Sequence, residues 1–329
     1  MSSEHPPIEP PSHPTPREGA PAHKDGPIAP HTGAPSPDVL VVGAGYCGLE
    51  IIRRLRARGA RLFATARDLD ASRAAIEQAG ASPLAWTAGQ GAPAWPEALT
   101  RGPVDLVYTV HAIADDQGDV AAPVRELLDA MADIDLRAIV ALSATSVYGD
   151  SDGGVVTADT PPDPPTARGR RRLDLERAIF EAGAARGART MNLRLPGIYG
   201  PGRDPLERIR AGAFPLVDGG HKWGGRVHRD DVAMGVEVLL AAGQGGRAYL
   251  LNDDHPFQIK ELVAWACERL GVSPPEPISM DDYARQNPTA ASFWATSNRY
   301  DNAAIKALPG FALKYPSFRD GLAPLLPDR

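Results

Sequence analysis

Cysteine, excess basic charge and long apolar runs are scarce in this sequence, and each scarcity excludes a class of protein. Two cysteines, Cys47 and Cys267, lie far apart, so we expect neither a disulfide framework nor a metal cluster and infer a reducing cytoplasm. The net charge of -6 argues against a nucleic-acid binder, which normally carries a basic face. No apolar run approaches the roughly 18 residues of a membrane span. The sequence therefore predicts a cytoplasmic protein without a nucleic-acid or membrane partner.

The first 36 residues differ in composition from the rest of the chain. Pro, His, Ala, Ser and Gly dominate residues 1–36, and large apolar side chains are almost missing. Such a segment cannot offset the entropy cost of ordering, so we predict a disordered tail. The histidines of this tail have irregular spacing, which favours solvated side chains over metal ligands; they are His5, His13, His23 and His31.

Residues 39–48, VLVVGAGYCG, combine a buried-strand pattern with a G-x-G-x-x-G fingerprint. Gly43 permits the tight turn from strand to helix, Gly45 lets a pyrophosphate approach the backbone, and Gly48 lets the helix pack closely on the strand. An amphipathic helix pattern follows over residues 49–58, so phosphates would meet free N–H groups at its positive end. The predicted dinucleotide site consists of Gly43, Gly45, Tyr46, Cys47 and Gly48.

The C-terminal end of the second predicted strand selects the cofactor. An Asp or Glu there would hold the ribose 2′-OH of NAD, but Ala66 occupies the position and Arg67 follows it, with Thr65 nearby. A guanidinium pairs bidentately with a 2′-phosphate, so the sequence favours NADP(H) over NAD(H). A shifted register could instead bring Asp68 or Asp70 to the ribose, although both suit the start of the next helix.

Strand and helix patterns alternate along the first half of the chain. We predict strands at residues 61–67, 83–86, 105–110 and 138–143, and helices at residues 71–79 and 120–132. This alternation predicts an α/β fold with a Rossmann-type, doubly wound parallel sheet. Right-handed crossovers place the strand ends at His111 and at residues 143–148 on the same edge as the glycine turn, where ligands bind.

Three later segments occur in the order of a known family. Residues 142–150 (LSATSVYGD), 194–203 (RLPGIYGPGR) and 226–233 (RVHRDDVA) resemble the SS-x-x-VYG, R-x-x-x-x-YGPG and R-I-H-V-D-D-V-A segments of the extended short-chain dehydrogenases, the NAD(P)-dependent epimerases and dehydratases. The resemblance implies a Rossmann core over residues 37–200. It also implies a small C-terminal α/β substrate lobe, mainly residues 201–329, with parts returning to the core.

The sequence departs from this family at the catalytic residues. The family pairs a Ser or Thr with Tyr-x-x-x-Lys, in which the phenolate is the acid or base and the Lys lowers its pKa. Here the Tyr position falls on Arg168, the Lys position on Arg172 and the hydroxyl position on Ala144. A guanidinium cannot give up a proton at working pH, so Arg168 cannot replace the tyrosine, whereas Arg172 could hold a ribose or phosphate. The departure resembles an atypical, sugar-nucleotide-epimerase-like branch of the family, in which a Gly-Arg-x-x-Arg-type segment replaces Tyr-x-x-x-Lys.

The basic run at residues 168–172 has three interpretations. Cations are unfavourable at a helix N-terminus, which counts against a plain solvated helix start. A nucleic-acid patch would be short and isolated in an acidic chain. An anion clamp at the cofactor edge explains the position of the run, and we favour it over a surface run.

Catalytic groups must then come from other residues at the same edge. Tyr148 and Thr145 follow the central strand directly, Ser143 lies beside the usual hydroxyl position, and His111 ends the preceding strand. A histidine needs little perturbation to work near neutral pH. Tyr148 and Tyr199 lie in segments that the family uses mainly to shape the pocket, so packing is at least as good an interpretation as chemistry for both.

The C-terminal third supplies the predicted substrate residues. In the family this part forms a lobe over the cofactor edge, so a cleft between lobe and core is the expected pocket. Candidate substrate-binding residues are Tyr199, His221 and Arg226, with Lys222 next to His221 as a second group for an anionic substrate. His221 and Lys222 could equally lie in a solvated turn. Aromatic candidates for the lining, which are more often core residues, are Trp223, Phe257, Trp265 and Phe293.

The sequence thus predicts an atypical short-chain dehydrogenase that transfers a hydride at a carbonyl or carbinol carbon of a small molecule, as a reductase or an epimerase. The competing prediction is a non-catalytic NADP(H)-binding sensor or scaffold, in which loss of the Tyr and Lys means loss of chemistry. We expect NADP(H) as the preferred cofactor, with NAD(H) as the alternative, and leave a homodimer open.

Overall fold

A parallel seven-stranded sheet forms the centre of the computed structural model, which describes residues 37–327 except 92, 94 and 113–117. The predicted tail, residues 1–36, lies outside the described residues. The elements up to the sixth strand of the sheet are β1 (Asp38–Val42), α1 (Tyr46–Arg56), β2 (Leu62–Ala66), α2 (Leu69–Ala79), β3 (Ser82–Ala85), β4 (Val104–Tyr108), α3 (Ala122–Asp129), β5 (Leu136–Ala144), β6 (Val155–Val156), α4 (Ala167–Ala185) and β7 (Arg189–Leu195).

The rest of the chain contributes shorter elements and one more strand of the central sheet. They are β8 (Gly197–Tyr199), α5 (Leu206–Arg210), β9 (Leu216–Val217), β10 (Trp223–Gly224), β11 (Arg226–His228), α6 (Arg229–Ala242), β12 (Arg247–Leu250), β13 (Phe257–Gln258), α7 (Ile259–Leu270), β14 (Pro277–Ile278), α8 (Met280–Gln286), α9 (Pro288–Ala291), β15 (Arg299–Tyr300), α10 (Ala303–Lys306) and α11 (Phe318–Leu322).

The strand order of the central sheet is β12-β7-β5-β4-β1-β2-β3, and every neighbouring pair is parallel. Helices cover both faces, so the strands are buried on both sides and read as continuous apolar runs rather than alternating ones. In β1, for example, Leu40, Val41 and Val42 are completely buried. The predicted Rossmann-type doubly wound sheet is confirmed, and β2, β3, β4 and β5 lie within two residues of their predicted bounds.

Two predicted helices, α1 and α2, begin earlier than the sequence patterns predict, and α2 begins at Leu69 instead of Ala71. The helix expected from Leu49 begins at Tyr46, directly after the glycine turn. Helix α4 begins at Ala167, because the Thr166 side chain caps it by accepting the Gly169 N–H at 3.1 Å. The first residues of α1 and of α4 therefore lie at the ligand-binding edge.

The chain after residue 200 completes the core as well as forming the lobe. Strand β12 pairs with β7 at the edge of the central sheet, and α6 packs on α1, where Glu237 forms ion pairs with Arg54 and Arg58. The lobe has its own apolar cluster, in which the rings of Phe257 and Phe318 lie 4.6 Å apart. Within the described part of the chain, no helix is long and apolar enough to cross a membrane.

Candidate active site

The glycine turn after β1 has a backbone conformation that requires its first glycine. Gly43 has a φ of +100°, and a Cβ there would lie 2.6 Å from the Thr109 hydroxyl oxygen. Its N–H donates to the Thr65 hydroxyl at 3.0 Å. Thr65 is completely buried, so it fixes the turn from the neighbouring strand instead of facing a ribose.

The other two glycines of the turn have different surroundings. A Cβ on Gly48 would lie 2.1 Å from the carbonyl oxygen of Gly43, whereas a Cβ on Gly45 would have no neighbour within 4 Å. Gly48 therefore serves close packing of α1, and Gly45 borders open space. Helix α1 begins at Tyr46 with no acidic residue in its first turn, so its positive end suits a pyrophosphate.

At the end of β2, the two residues proposed for the ribose are placed differently. Asp68 caps α2 by accepting the Ala71 N–H at 3.0 Å. Arg67 follows the strand and is exposed. Ala66 stands at the last strand position, so no carboxylate of β2 itself points to the cofactor edge.

A cavity of about 700 Å³ lies between the glycine turn, the ends of β4 and β5, and the lobe. It brings together most of the predicted site residues, namely Gly43, Gly45, Tyr46, Cys47, His111, Ser143, Thr145, Arg172 and Arg226. Its volume is in the range of small-molecule and cofactor sites.

The cavity wall is strongly cationic. Its described lining residues include no carboxylate and six cations, which are Arg168, Arg172, Arg203, Arg208, Lys222 and Arg226. Burial lowers the pKa of Arg172 and Arg226 and lowers the pKa of Lys222 to about 8. Asp253 and Asp150 act to raise the pKa of Arg226 and Lys222 from outside this wall, but burial outweighs them. Because burying a cation is costly, this wall suits an anionic ligand.

Arg172 connects the end of β4 with the end of β5. Its guanidinium donates to the Leu142 carbonyl oxygen at 3.3 Å and to Nδ1 of His111 at 3.2 Å. Nδ1 of His111 is therefore an acceptor, which leaves Nε2 as the N–H of a neutral ring. Partial burial, together with Arg172, Arg168 and Arg203, lowers the pKa of His111, so the ring stays neutral near pH 7.

Three buried polar atoms of residues that line the cavity have no hydrogen-bond partner among the described residues. They are the hydroxyl oxygens of Ser143 and Ser146 and Nε of Arg226. Buried polar groups are normally satisfied, so these atoms favour a ligand that completes their hydrogen bonding. With the open space at Gly45, they make this chain's residues compatible with a dinucleotide and a second anionic molecule.

A family model described as the NAD dependent epimerase/dehydratase family matches residues 39–251. The chain belongs to this family. The match spans the glycine turn, both strand ends at the cavity and the segment around Arg226.

Three known proteins illustrate what the chain is similar to. Protein YeeZ of Escherichia coli (strain K12) is 33% identical over 174 residues, which cover 52% of this chain and 61% of that protein. A functionally unknown conserved protein from Silicibacter pomeroyi has a solved structure that is 31% identical, with a TM-score of 0.73, covering 88% of this chain and 98% of that one. A putative NAD-dependent epimerase/dehydratase from Methylobacillus flagellatus is 25% identical, with a TM-score of 0.64, covering 88% and 97%. The chain thus spans 61% of the length of the curated relative that it matches.

Tyr148, the tyrosine of the family's VYG segment, lies outside the cavity. It is completely buried, and its hydroxyl accepts a hydrogen bond from Arg194 at 3.0 Å. Arg194 in turn forms a buried ion pair with Glu176 at 2.8 Å. This placement matches the packing alternative for Tyr148 and does not bring its hydroxyl to a ligand.

Two of the three predicted substrate residues also lie away from the cavity. Tyr199 is buried against Gly321 and His228. His221 is exposed, with its Nδ1 3.0 Å from Nζ of Lys260. Arg226 alone of the three lines the cavity.

The basic run at the start of α4 divides between cavity and surface. Arg168 and Arg172 line the cavity, and the Arg168 guanidinium stacks 4.0 Å from the centre of the Phe293 ring. Arg170 and Arg171 are exposed. The anion-clamp prediction therefore fits the first and last arginines of the run, and the surface prediction fits the two between them.

The aromatic candidates divide in the same way. Trp223 and Phe293 line the cavity, whereas Phe257 and Trp265 pack in the lobe cluster.

Sequence reasoning did not single out Arg203, Arg208 or Tyr300, which also line the cavity. Arg203 ends the YGPG-type segment, so its motif is a signal for its position. Arg208 and Tyr300 belong to short lobe elements, α5 and β15, whose sequences carry no periodic pattern that would place them.

Proposed function

We propose that this protein is an NADP(H)-dependent oxidoreductase or epimerase that transfers a hydride at a carbonyl or carbinol carbon of a small anionic molecule. The observation that carries the proposal is a single cavity that runs from the glycine turn to the cationic wall of the lobe. A bound nicotinamide would supply or accept the hydride in this cavity. The residues of the chain would bind and orient both molecules and move the proton.

The glycine turn supports the cofactor half of the proposal. The open space at Gly45, the turn conformation of Gly43 and the uncapped start of α1 fit a pyrophosphate. Family membership and the resemblance to the putative NAD-dependent enzyme from Methylobacillus flagellatus point to the same cofactor class.

The end of β2 supports NADP(H) over NAD(H). Asp68 is occupied as the cap of α2, and Arg67 is exposed and free to move toward a 2′-phosphate. A guanidinium recognises a phosphate through paired charge-assisted hydrogen bonds.

The lobe wall supports an anionic substrate. Lys222 and Arg226 are substantially desolvated, and Nε of Arg226 has no partner among the described residues. A phosphate or carboxylate on the substrate would offset the cost of burying these cations. Trp223 and Phe293 add apolar surface to the same wall.

Calorimetry with NADP+, NADPH, NAD+ and NADH tests the cofactor half, and we expect both phosphorylated nucleotides to bind more tightly than their NAD counterparts. The catalytic half is tested by following NADPH oxidation with a panel of aldehydes and ketones that carry a phosphate or carboxylate. Turnover that is lost in Arg226→Met would support the proposal. Failure of all four nucleotides to bind folded protein would overturn it.

A non-catalytic sensor is the competing function, because the family's Tyr and Lys positions are Arg168 and Arg172. A sensor would bind NADP+ and NADPH with unequal affinities and would consume neither with any member of the panel.

A further inference from the structure

Tyr300 approaches the cavity from a segment remote in sequence from the strand ends. It lies in β15, which pairs in parallel with β6 so that Tyr300 is opposite Val156. This pairing fixes its backbone, and its side chain lines the cavity beside Gly225, where a Cβ would meet the tyrosine ring at 2.8 Å.

The Tyr300 side chain lies near the carboxyl end of β5. Thr145 directly follows β5 and lines the cavity together with Thr296 and Tyr300. Thr145, Asn298 and Thr296 are neighbouring polar side chains that act to lower the pKa of the Tyr300 phenol. Tyr300 thus shares the cavity wall with a hydroxyl at the carboxyl end of the central strand, where ligands bind in open α/β sheets.

These interactions act on the proton of Tyr300. Burial raises the pKa of Tyr300, while the interactions with Thr145, Asn298 and Thr296 act in the opposite direction by stabilising the anion. The phenol is therefore protonated at neutral pH and has groups in place that accommodate the phenolate. A proton donor in a reduction requires both properties.

The other tyrosines near the cavity are placed for different contacts. The Tyr46 hydroxyl donates to the Pro201 carbonyl oxygen at 3.3 Å. Tyr283 packs edge to face on Trp294, and the Tyr148 hydroxyl is bound to Arg194 inside the core.

We propose that Tyr300 is the catalytic acid and base of this protein, and that it replaces the tyrosine which the family normally supplies from α4. The proposal rests on the hydride transfer proposed above. In the reductive direction the electron pair of the transferred hydride forms a new C–H bond at the carbonyl carbon. The O–H proton of Tyr300 passes to the carbonyl oxygen. The products are the alcohol, the oxidised nicotinamide and a phenolate, which regains its proton from water. The reverse reaction runs through the same groups, with the phenolate as base.

The pKa of Tyr300 gives a test that needs no substrate. We expect NADP+ to lower it by about one unit or more, because an opposite charge within about 4–6 Å favours the phenolate, whereas NADPH should leave it nearly unchanged. The measurement is the tyrosinate absorbance of the wild type minus that of Tyr300→Phe, titrated with pH in the presence and absence of each nucleotide. Tyr249→Phe is the matched control, since it removes a buried hydroxyl that accepts the Gln244 N–H away from the cavity.

The outcomes separate this proposal from the proposed function. If NADP+ binds but the Tyr300 titration does not move, Tyr300 is not beside the nicotinamide and this proposal fails alone. If neither phosphorylated nucleotide binds, both proposals fail. If Tyr300→Phe does not fold, Thr145→Val replaces it in the measurement. Loss of the Thr145 hydroxyl should raise the pKa of Tyr300, so the tyrosine whose titration shifts to higher pH in Thr145→Val is Tyr300.

A substrate from the NADPH panel allows a kinetic test as well. Tyr300→Phe should lower kcat by about 100-fold or more, as expected for loss of general acid catalysis, with unchanged calorimetric affinity for NADPH. Tyr249→Phe should keep the wild-type kcat. A Tyr300→Phe variant with wild-type kcat would overturn the proposal.

Discussion

Two groups of cations lie near the carboxyl end of β5, and they differ in their counter-charges. Arg194 is buried and satisfied within the protein, with the Glu176 carboxylate at 2.8 Å and the Tyr148 hydroxyl at 3.0 Å. Arg172, Lys222 and the other cavity cations face a wall on which the described residues place no carboxylate.

This difference distinguishes a cation that stabilises the fold from cations that are available to bind a ligand. Removing one partner of a buried ion pair is strongly destabilising, because it leaves the other charge buried without compensation. The Arg194 pair therefore belongs to the core, whereas the cavity cations are arranged for an anion that comes from solution. Tyr148, which the family motif marks, lies with the first group.

The largest expected effect comes from breaking the built-in pair. Glu176→Ala should lower the free energy of unfolding by about 3–5 kcal/mol, because it leaves the buried Arg194 without a counter-charge. Urea unfolding measures the loss. Asp174→Ala on the same helix is the control, since its exposed pair with Arg177 should contribute no more than about 0.5 kcal/mol. Equal losses of unfolding free energy in the two variants would contradict the difference between the buried and the exposed ion pair.

The glycine turn allows packing and ligand binding to be separated in one pair of variants. Gly45→Ala should keep the wild-type melting temperature, because its Cβ meets nothing within 4 Å, but it should weaken NADP+ binding about 100-fold, or about 2.7 kcal/mol. Gly48→Ala should instead destabilise the fold by about 1–3 kcal/mol through overpacking, since its Cβ would lie 2.1 Å from the Gly43 oxygen. Thermal unfolding measures the effect on stability, and calorimetry measures the effect on NADP+ affinity. Full nucleotide affinity in Gly45→Ala would place the pyrophosphate elsewhere.

Arg67, which follows β2, allows a test of the preference between NADP+ and NAD+. Arg67→Ser should reduce the preference for NADP+ over NAD+ about tenfold, the size of one charge-assisted hydrogen bond of about 1.5 kcal/mol. Calorimetry with both nucleotides gives the ratio. The neighbouring exposed cation Arg73, which pairs with Glu77 on α2, supplies the control Arg73→Ser. A ratio that changes equally in both variants would remove Arg67 from the site.

The smallest expected effect is a pH dependence of anion binding on the lobe wall. The pKa of Lys222 is about 8, so its charge and part of the affinity for sulfate should be lost as the pH rises from 7 to 9, by about two- to fivefold. His111, with a lowered pKa, and Cys47, with a pKa raised to about 11, keep their charges over this range. Asp253, which interacts with Arg226 and has a pKa raised by burial to about 8, also gains charge over this range. Lys222→Met should therefore bind sulfate more weakly than the wild type at pH 7 and lose less affinity between pH 7 and pH 9. An unchanged pH dependence in Lys222→Met would assign the whole effect to Asp253 or another group.

The same group has an opposite effect on stability. Because its folded pKa lies below the unfolded value near 10.4, the unfolded chain holds more protons between pH 8 and pH 10. The contribution of Lys222 to the free energy of unfolding therefore rises across this window.

The part of the site that backbone geometry determines could be predicted from the sequence. Gly43 is required by a turn conformation and Gly48 by a close contact. Such requirements appear in a sequence as glycines at a fixed spacing. The strand ends at Ser143 and Thr145 followed from the alternation of strands and helices. Tyr148 was placed at the ligand edge by its motif, but its side chain turns toward the Arg194 pair, and a linear pattern carries no information on that choice.

The lobe wall could not be predicted in the same way. Tyr300 and Arg208 reach the cavity from β15 and α5, elements of two and five residues. Such short elements have too few residues for a periodicity, and their positions depend on packing between segments far apart in sequence. Lys222 and Arg226 were found because glycines and a family segment surround them.

The return of β12 and α6 to the central sheet restricts how this protein can change its specificity during evolution. The chain passes from the core into the lobe and returns to the core to form α6 and β12. It then enters the lobe again. A truncation after the YGPG-type segment would expose the outer edge of β7 and the face of α1 that carries Arg54. New substrate preferences are therefore expected to arise by alterations within the loops that connect these shared elements, and not by exchange of a detachable module.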